Sequence, residues 1–301
     1  MNSILIFILI FSTIVCLVNG QNEVLNCRYV INSAFGYVCD LTIINPSGLN
    51  NFNGINGTHL DGKTDMDVVF IMFYKTGSNS SNIPSIICQK FPNLVRIQLN
   101  NFGLRMIDDF SFKNCKNVQY IHLRNNKINQ IHENSFQNNP ELIELFLENN
   151  EIAVLPENLL MNLHKLKGLD FGTNRISSLP ANFFSQLISL DFLFLNENLL
   201  KDLPANVFSG LKNMTMIYLN SNKLEVIHAY PFGMLPKLKA VNLHSNQIYA
   251  IDEKFIDNTS VNLIHMLNNI CANKRIEDLP TRYVLRAELK VCFDNYRKTF
   301  G

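Results

Sequence analysis

Apolar residues recur along this chain with a period of 24 residues, in the spacing L-x-x-L-x-L-x-x-N-x-L. The seven clearest copies begin at Leu94, Val118, Leu142, Leu166, Leu190, Met214 and Leu238. An eighth copy begins one residue early at Val261, and a looser copy begins at Val68. A fixed period of this length indicates a solenoid, in which successive turns stack, so that all 301 residues need only one continuous core.

Each unit predicts one short strand at its third to fifth positions, paired in parallel with the strands of neighbouring turns about 4.8 Å away. Apolar residues at the first, fourth, sixth and eleventh positions point inward, and so does the eighteenth residue. The eighteenth-position residues are Phe112, Phe136, Leu160, Phe184, Phe208 and Phe232. A buried column of rings explains the 22 Phe in a chain without Trp, and we interpret it as packing rather than as a binding site.

A second column is formed by asparagines at the ninth position, where the chain leaves the strand and turns. Its members are Asn126, Asn150, Asn174, Asn198, Asn222, Asn246 and Asn269, while Phe102 interrupts it in the first full unit. A side-chain amide has both donors and acceptors, so each asparagine can satisfy backbone groups of its own turn and of the adjacent turn. We therefore predict a buried asparagine ladder.

The flanks of the array lack the repeat. Residues 21–67 contain two short β-like runs and predict an N-terminal cap, because the first strand otherwise presents unpaired backbone groups and an open apolar end. Residues 68–271 predict the solenoid, with about eight to nine repeats. Residues 272–301 become charged, carry the apolar alternation Leu289, Val291, Phe293, and predict a C-terminal cap.

Residues 1–20 predict a signal peptide, since Ile4 to Val18 form an apolar run without charge and small residues precede Gln21. The alternative, an uncleaved anchor, needs about 20 residues, whereas this run has fifteen. We therefore expect a secreted, extracellular protein whose mature chain has no transmembrane segment. Possible glycosylation acceptors lie at Asn56, Asn79, Asn213 and Asn258.

Removal of residues 1–20 leaves six cysteines, an even number that predicts three disulfides in a secretory context. Cys115 occupies an inward-pointing position and Cys88 lies about one turn earlier, so stacking brings their Cα atoms near the usual disulfide separation of about 5.5 Å. Pairing Cys88 with Cys115 leaves Cys27 with Cys39 and Cys271 with Cys292. A crossed pairing of Cys27 or Cys39 with Cys88 is the alternative.

The 24-residue unit, with the outer phrase L-P-x-x-x-F-x-x-L at Leu179 to Leu187 and Leu203 to Leu211, resembles the extracellular leucine-rich repeat family. Members of that family include Toll-like receptor ectodomains and small secreted immune and matrix proteins. The resemblance implies an α/β solenoid shaped as a horseshoe, with a parallel concave β-sheet and disulfide-bearing caps at both ends. It also implies that the chain acts by binding.

Side chains at the third and fifth positions of each unit are expected to be exposed on the concave strand face. Lys75, Arg96 and Arg124 make the N-terminal part of this face basic. Further along, adjacent turns combine apolar side chains with carboxylates at their edge, and contiguous exposed apolar patches mark contacts. The predicted ligand-binding residues are Phe146, Asp170, Asp191, Phe192, Phe194, Met216 and Tyr218.

Chemistry other than binding finds little support in the sequence. The nearest candidate pairs are Asp170 with Glu144 and His244 with His265, but neither pair has a partner that orients it, and two histidines lack a third metal ligand. We therefore predict no catalytic residues, no metal and no cofactor. With 26 Lys and Arg against 25 Asp and Glu, the chain is also nearly neutral, and nucleic acid is not an expected partner.

Two functions fit these patterns. The first is a secreted recognition protein, in innate immunity or signalling, that binds a protein or glycoconjugate ligand on its concave face. The second is a structural protein of the extracellular matrix or of adhesion that self-associates, with the aromatic patch as a homodimer surface.

Overall fold

The computed structural model describes residues 25–43, 55–73, 83, 86–228, 231–232, 235–252, 254–257, 261, 263–271, 275–276 and 279–300. The predicted signal peptide at residues 1–20, Lys75 and the sequons at Asn79 and Asn258 lie outside these ranges. No helix within the described ranges is long and apolar enough to cross a membrane.

Thirteen of the described strands form one continuous sheet. Nine of these strands, one from each turn, run parallel: β4 (Phe70–Phe73), β5 (Arg96–Gln98), β7 (Tyr120–His122), β9 (Glu144–Phe146), β10 (Gly168–Asp170), β11 (Phe192–Phe194), β12 (Met216–Tyr218), β14 (Ala240–Asn242) and β16 (Leu263–His265). Equivalent positions of the repeat pair with each other, as Leu169 pairs with both Leu145 and Leu193. The predicted parallel solenoid is therefore confirmed.

The core lies between this sheet and the returning outer segments. The middle residue of each three-residue strand points inward, and Leu145, Leu169 and Leu193 are all completely buried. The rings at the eighteenth position are also completely buried and lie in register, with centroids of Phe184 and Phe208 5.8 Å apart. Phe255 extends this column by one further ring, since its centroid is 4.6 Å from that of Phe232.

The asparagine ladder follows the end of each strand. Asn174 donates from Nδ2 to the carbonyl oxygens of Leu147 and Phe171, and its Oδ1 accepts from the backbone N–H of Ile152. The same pattern recurs at the other ladder positions. The residue before each ladder asparagine has left-handed backbone, with φ of 52° at Thr173 for example, which completes the tight turn out of the strand. Each turn is thereby joined to the next through side-chain amides.

The outer side of the middle turns consists of successive tight turns. Leu159 N–H donates to the carbonyl of Pro156, and Leu163 N–H donates to the carbonyl of Leu160. Two pairs of short parallel strands also lie outside the main sheet, and they are β6 (Met106–Ile107) with β8 (Gln130–Ile131), and β13 (Val226–Ile227) with β15 (Ala250–Ile251). Short helices α1 (Ile86–Lys90) and α2 (Lys254–Asp257) occupy the outer side near the two ends.

The N-terminal cap is an antiparallel hairpin that extends the main sheet. Its strands are β1 (Leu25–Asn32) and β2 (Gly36–Ile43), with the short β3 (Ile55–Asn56) beside β1. Strand β2 pairs in parallel with β4, so the hairpin covers the open edge of the solenoid. Cys27 is bonded to Cys39 across this hairpin, and Cys88 is bonded to Cys115 between the first two turns.

At the C-terminal end, β17 (Arg275–Ile276) pairs antiparallel with β16, and helix α3 (Leu279–Phe300) follows. Cys292 of this helix is bonded to Cys271 of the last turn. Thus all three disulfides join the pairs expected from the stacking of turns. The apolar alternation read from the sequence does not hold, because four-residue spacing puts Leu289 and Phe293 on the buried helix face, whereas Val291 is 60% exposed.

Candidate functional site

Side chains at the third and fifth positions of the parallel strands form one surface, called here the concave face. In most of these strands a buried middle residue is flanked by two partly exposed residues. Strand β10 differs, since Gly168 and Asp170 are buried together with Leu169. The exposure expected for all third and fifth positions is therefore wrong at both positions of this strand, and also at Phe70, Phe146 and Ala240, which are buried.

An aromatic row, consisting of Phe146, Phe192, Phe194 and Tyr218, runs along the concave face. Successive ring centroids lie 6.2 Å, 5.5 Å and 5.0 Å apart. Met216 lies beside the row, directly across from Phe192 in the next strand. Phe192, Phe194, Met216 and Tyr218 are all partly exposed and present a contiguous apolar surface.

Gly168 allows this row to cross a strand. Phe146 and Phe192 belong to β9 and β11, which are separated by β10. A Cβ atom on Gly168 would lie only 2.2 Å from Cζ of Phe192, so the ring occupies the space that any other side chain would fill. The absence of a side chain at this position brings Phe192 down onto the sheet and into contact with Phe146.

Phe146 was expected to be exposed, but it is only 9% exposed. The ring of His122 stacks on it with centroids 4.5 Å apart, and the guanidinium of Arg124 lies 4.5 Å from its centroid. These two side chains from the preceding turn cover the ring through stacking and a cation–π contact. Phe146 thus anchors the row, and the other members form its accessible part.

Asp170 was expected at the edge of the patch, and the structure buries it. Its Oδ1 accepts from the backbone N–H of Gly172 at 2.9 Å, and its Oδ2 lies 3.4 Å from Nη2 of Arg124. Burial, helped by the nearby Glu148 carboxylate, raises the pKa of Asp170 to about 6, although Gly172 and Arg124 oppose the shift. Asp191 does lie at the surface, where its carboxylate accepts from the hydroxyl of Thr215.

A polar network that the sequence reading missed lies on the N-terminal side of the row. Nε2 of His122 is 3.0 Å from Glu144, and Nε of Arg124 is 3.4 Å from Glu148. Burial lowers the pKa of His122, although its hydrogen bond to Glu144 acts in the opposite direction. A recognisable signal existed in the sequence, because Arg124 and Glu148 are opposite charges exactly one repeat apart.

Arg96, which was predicted to make the N-terminal part of the face basic, contacts several aromatic rings. Its guanidinium lies 4.0 Å from the centroid of Tyr120 and within 6 Å of the rings of Phe35 and Phe70, at 5.5 Å and 5.9 Å. The charge of Arg96 therefore lies over aromatic rings, whereas that of Arg124 faces the carboxylates of Glu148 and Asp170.

Three overlapping segments of the chain, residues 92–152, 140–200 and 193–248, match the sequence model of the family described as Leucine rich repeat. Together they span more than half of the chain. The protein belongs to the leucine-rich repeat family. No curated protein sequence matches this leucine-rich repeat chain significantly.

Solved structures of other leucine-rich repeat proteins share the fold. The Toll chain of the Toll–Spatzle complex from Drosophila matches with a TM-score of 0.55 and 21% identity over 68% of this chain. The APL1 leucine-rich repeat domain matches with a TM-score of 0.62 and 18% identity over 82% of this chain. The TLR13 chain of a complex with ssRNA13 matches with a TM-score of 0.59 and 19% identity over 67%.

This leucine-rich repeat chain spans less than two thirds of each of those proteins. It matches 34% of the Toll chain, 65% of the APL1 domain and 32% of the TLR13 chain. At these identities the likeness concerns the solenoid fold, and the residues of the aromatic row must be judged from their own geometry.

The predicted glycosylation acceptor Asn213 is exposed immediately before the buried Met214 that opens the β12 turn. Its Nδ2 donates to the carbonyl of Ile188, and its Oδ1 accepts from Nζ of Lys237. Asn56 contributes backbone to β3. Within the part of the chain that the structure describes, no group of three or more His, Cys, Asp or Glu side chains is placed to hold a metal ion.

Proposed function

We propose that this leucine-rich repeat protein is a secreted recognition protein that binds a protein ligand on its concave face. The observation that carries the proposal is the accessible part of the aromatic row, formed by Phe192, Phe194 and Tyr218 together with Met216. Large rigid side chains of this kind at the centre of an interface commonly contribute about 2 kcal/mol or more each. A glycoconjugate whose sugar rings stack on the row is the other ligand class that this surface suits.

Extracellular action is supported by the three disulfides, which persist in oxidising compartments, and by the leader-like composition of residues 1–20. The structural likeness to the Toll–Spatzle structure, a complex described as a molecular hub in Drosophila development and innate immunity, supports signalling or innate immunity as the proposed setting. We assign no catalytic residues and no cofactor to this function.

The proposal is tested with the double variant Phe194→Ala, Tyr218→Ala, produced as the full chain in secretory cells. The unmutated protein is used to capture ligands from the extracellular fluid of its source, and the double variant should lose those ligands. Because both side chains lie outside the core, its melting temperature should fall by no more than a few degrees. The matched control is Val154→Ala, Met161→Ala, which removes two side chains that are 76% and 53% exposed on the outer segment.

If the Phe194, Tyr218 variant captures the same ligands with unchanged affinity, the concave site is contradicted. Self-association is the competing function, and the mass of the purified protein in solution separates the two. A dimer that is present in the unmutated protein and in the outer-segment control, but absent in the concave variant, indicates a structural or adhesive role instead.

A further inference from the structure

The C-terminal end of the concave face carries two histidines from neighbouring turns. His244 follows β14, His265 ends β16, and their ring centroids lie 4.8 Å apart. Both side chains are partly buried. Nδ1 of His244 lies 2.9 Å from the hydroxyl of Ser245, whereas the buried Nε2 of His265 has no hydrogen-bond partner among the residues that the structure describes. A buried ring nitrogen without a partner needs an explanation, since such groups are normally hydrogen-bonded.

Among the described residues, carboxylates contact three other histidines of this chain. His59 contacts Asp65 at 2.9 Å, His122 contacts Glu144 at 3.0 Å, and His132 contacts Asp109. Among the ion pairs between described residues, none joins a carboxylate to His244 or His265.

A third cationic group stands on the same side of the sheet. In the antiparallel pairing of β16 with β17, Arg275 lies directly opposite His265, and directly opposed residues of such a pair share one face. Burial lowers the pKa of His265, and the charges of His244 and Arg275 lower it further. Among the described residues, the two charged groups that lower the pKa of His265 are basic, and they disfavour its protonation.

We propose that His244, His265 and Arg275 form a binding site for the carboxylates of an acidic peptide segment on the protein ligand. This assignment rests on the proposed function. Tyr218, Asn242 and His265 pair in succession across β12, β14 and β16, so the site lies two strands beyond the end of the aromatic row, about 10 Å away. A ligand seated on the row therefore reaches it, and a carboxylate there supplies the acceptor that protonated imidazoles require.

Binding of a carboxylate at this site should be stronger at lower pH. A bound carboxylate stabilises the protonated form of an imidazole, so binding takes up protons and tightens as the pH falls. A rise of one pKa unit at one histidine increases the affinity by at most about tenfold, and only part of this gain falls between pH 7.5 and pH 6.

The test uses the full chain and a synthetic hexaglutamate peptide as the probe. The ring Cε1–H signals of the seven histidines are followed by NMR over a range of pH, with and without saturating peptide. We expect the peptide to shift the signals of His244 and His265 and to raise the pKa of His265 by about one unit, while the signal of His132 on the outer side does not respond. Unchanged signals at both residues, or equal changes at all seven, overturn the proposal.

Variants and a second probe sharpen the result. The double variant His244→Asn, His265→Asn should bind the peptide with the same affinity at pH 6 and pH 7.5, whereas the matched control His132→Asn should keep the preference for pH 6. A sulfated oligosaccharide that shifts the two histidines when hexaglutamate does not shows that the acidic-peptide assignment is wrong. Since both probes are used without the ligand of the aromatic row, failure here leaves the capture experiment to decide the proposed function separately.

Discussion

Asp170 is a buried carboxyl group whose charge is only partly compensated. The Gly172 N–H and the Arg124 guanidinium face it, but burial and Glu148 outweigh them and raise its pKa to about 6 from 3.8. Between pH 3.8 and about pH 6, Asp170 therefore carries a proton in the folded protein but has lost it in the unfolded chain. It follows that this residue favours the folded state below about pH 4 and that its contribution is lost as the pH rises through 6.

We predict that Asp170→Asn changes the pH dependence of stability. The amide has no charge to bury, and its oxygen still accepts from Gly172. Relative to the unmutated protein, the free energy of unfolding of the variant should increase by about 2 to 3 kcal/mol between pH 4 and pH 7. Denaturant titrations at both pH values measure this difference. Phe194→Ala removes no titrating group and serves as the control, and a constant difference for Asp170→Asn contradicts the raised pKa.

Asn174 and Asn242 are chemically identical side chains in different environments. Asn174 is buried and bonds to backbone groups of two turns, whereas Asn242 is partly exposed on the concave face and accepts one bond, from the His244 N–H at 3.3 Å. Removing a partner from a buried backbone group costs about 1 to 3 kcal/mol.

We therefore predict that Asn174→Ala lowers the free energy of unfolding by about 3 kcal/mol and that Asn242→Ala lowers it by less than about 1 kcal/mol. Thermal unfolding of the two variants, followed by circular dichroism, provides the comparison. Equal melting temperatures would mean that the ladder does not hold the turns together.

Residue identity alone could not show which concave side chains are accessible. The repeat gives the face on which Phe146, Asp170 and Phe194 lie, but their exposure depends on the sizes of side chains one and two turns away. Arg124, which follows β7, covers Phe146 of the next strand and reaches Asp170 two strands later in the sheet. Phe192 lies low because Gly168 leaves it room. Such effects between turns depend on three-dimensional packing of long side chains, which the 24-residue pattern does not encode.

At the scale of the secondary-structure element, the sequence predicts the parallel strands more clearly than it predicts helix α3. The repeat places each parallel strand, because the third to fifth positions recur with every turn. The segment of helix α3 occurs once, and Leu289, Val291 and Phe293 satisfy both a two-residue spacing and, through Leu289 and Phe293, a four-residue spacing. The segment forms a helix that packs against β15 and is bonded to the last turn through Cys271 and Cys292.

The helix predicts a large contrast between two neighbouring apolar residues. Leu289→Ala removes a completely buried side chain and should lower the free energy of unfolding by about 2 to 5 kcal/mol, whereas Val291→Ala removes an exposed one and should change it by less than about 0.5 kcal/mol. Chemical denaturation with the disulfide intact measures both values. Equal losses would indicate that the two side chains point to the same environment and that the segment is not this helix.

At the scale of the whole molecule, one sheet from the cap hairpin to β17 unites the described chain. The period predicted this architecture because every turn repeats the same inward positions, and the stacking of turns predicted which cysteines meet. A ligand leaves no comparable periodic signal. The aromatic row and the basic cluster of His244, His265 and Arg275 each arise from residues that differ between turns, so the repeat shows where a site can lie and not what it binds.

The asparagine ladder also sets the order in which the turns complete their hydrogen bonds during synthesis. Asn174 forms hydrogen bonds with the N–H of Ile152 and the carbonyl of Leu147, which precede it by 22 and 27 residues. On a ribosome these groups emerge first and lack their partners until the following strand has been synthesised. We therefore expect each turn to become fully ordered about one turn behind the point of synthesis, so that the growing end of the nascent protein always carries one incomplete turn.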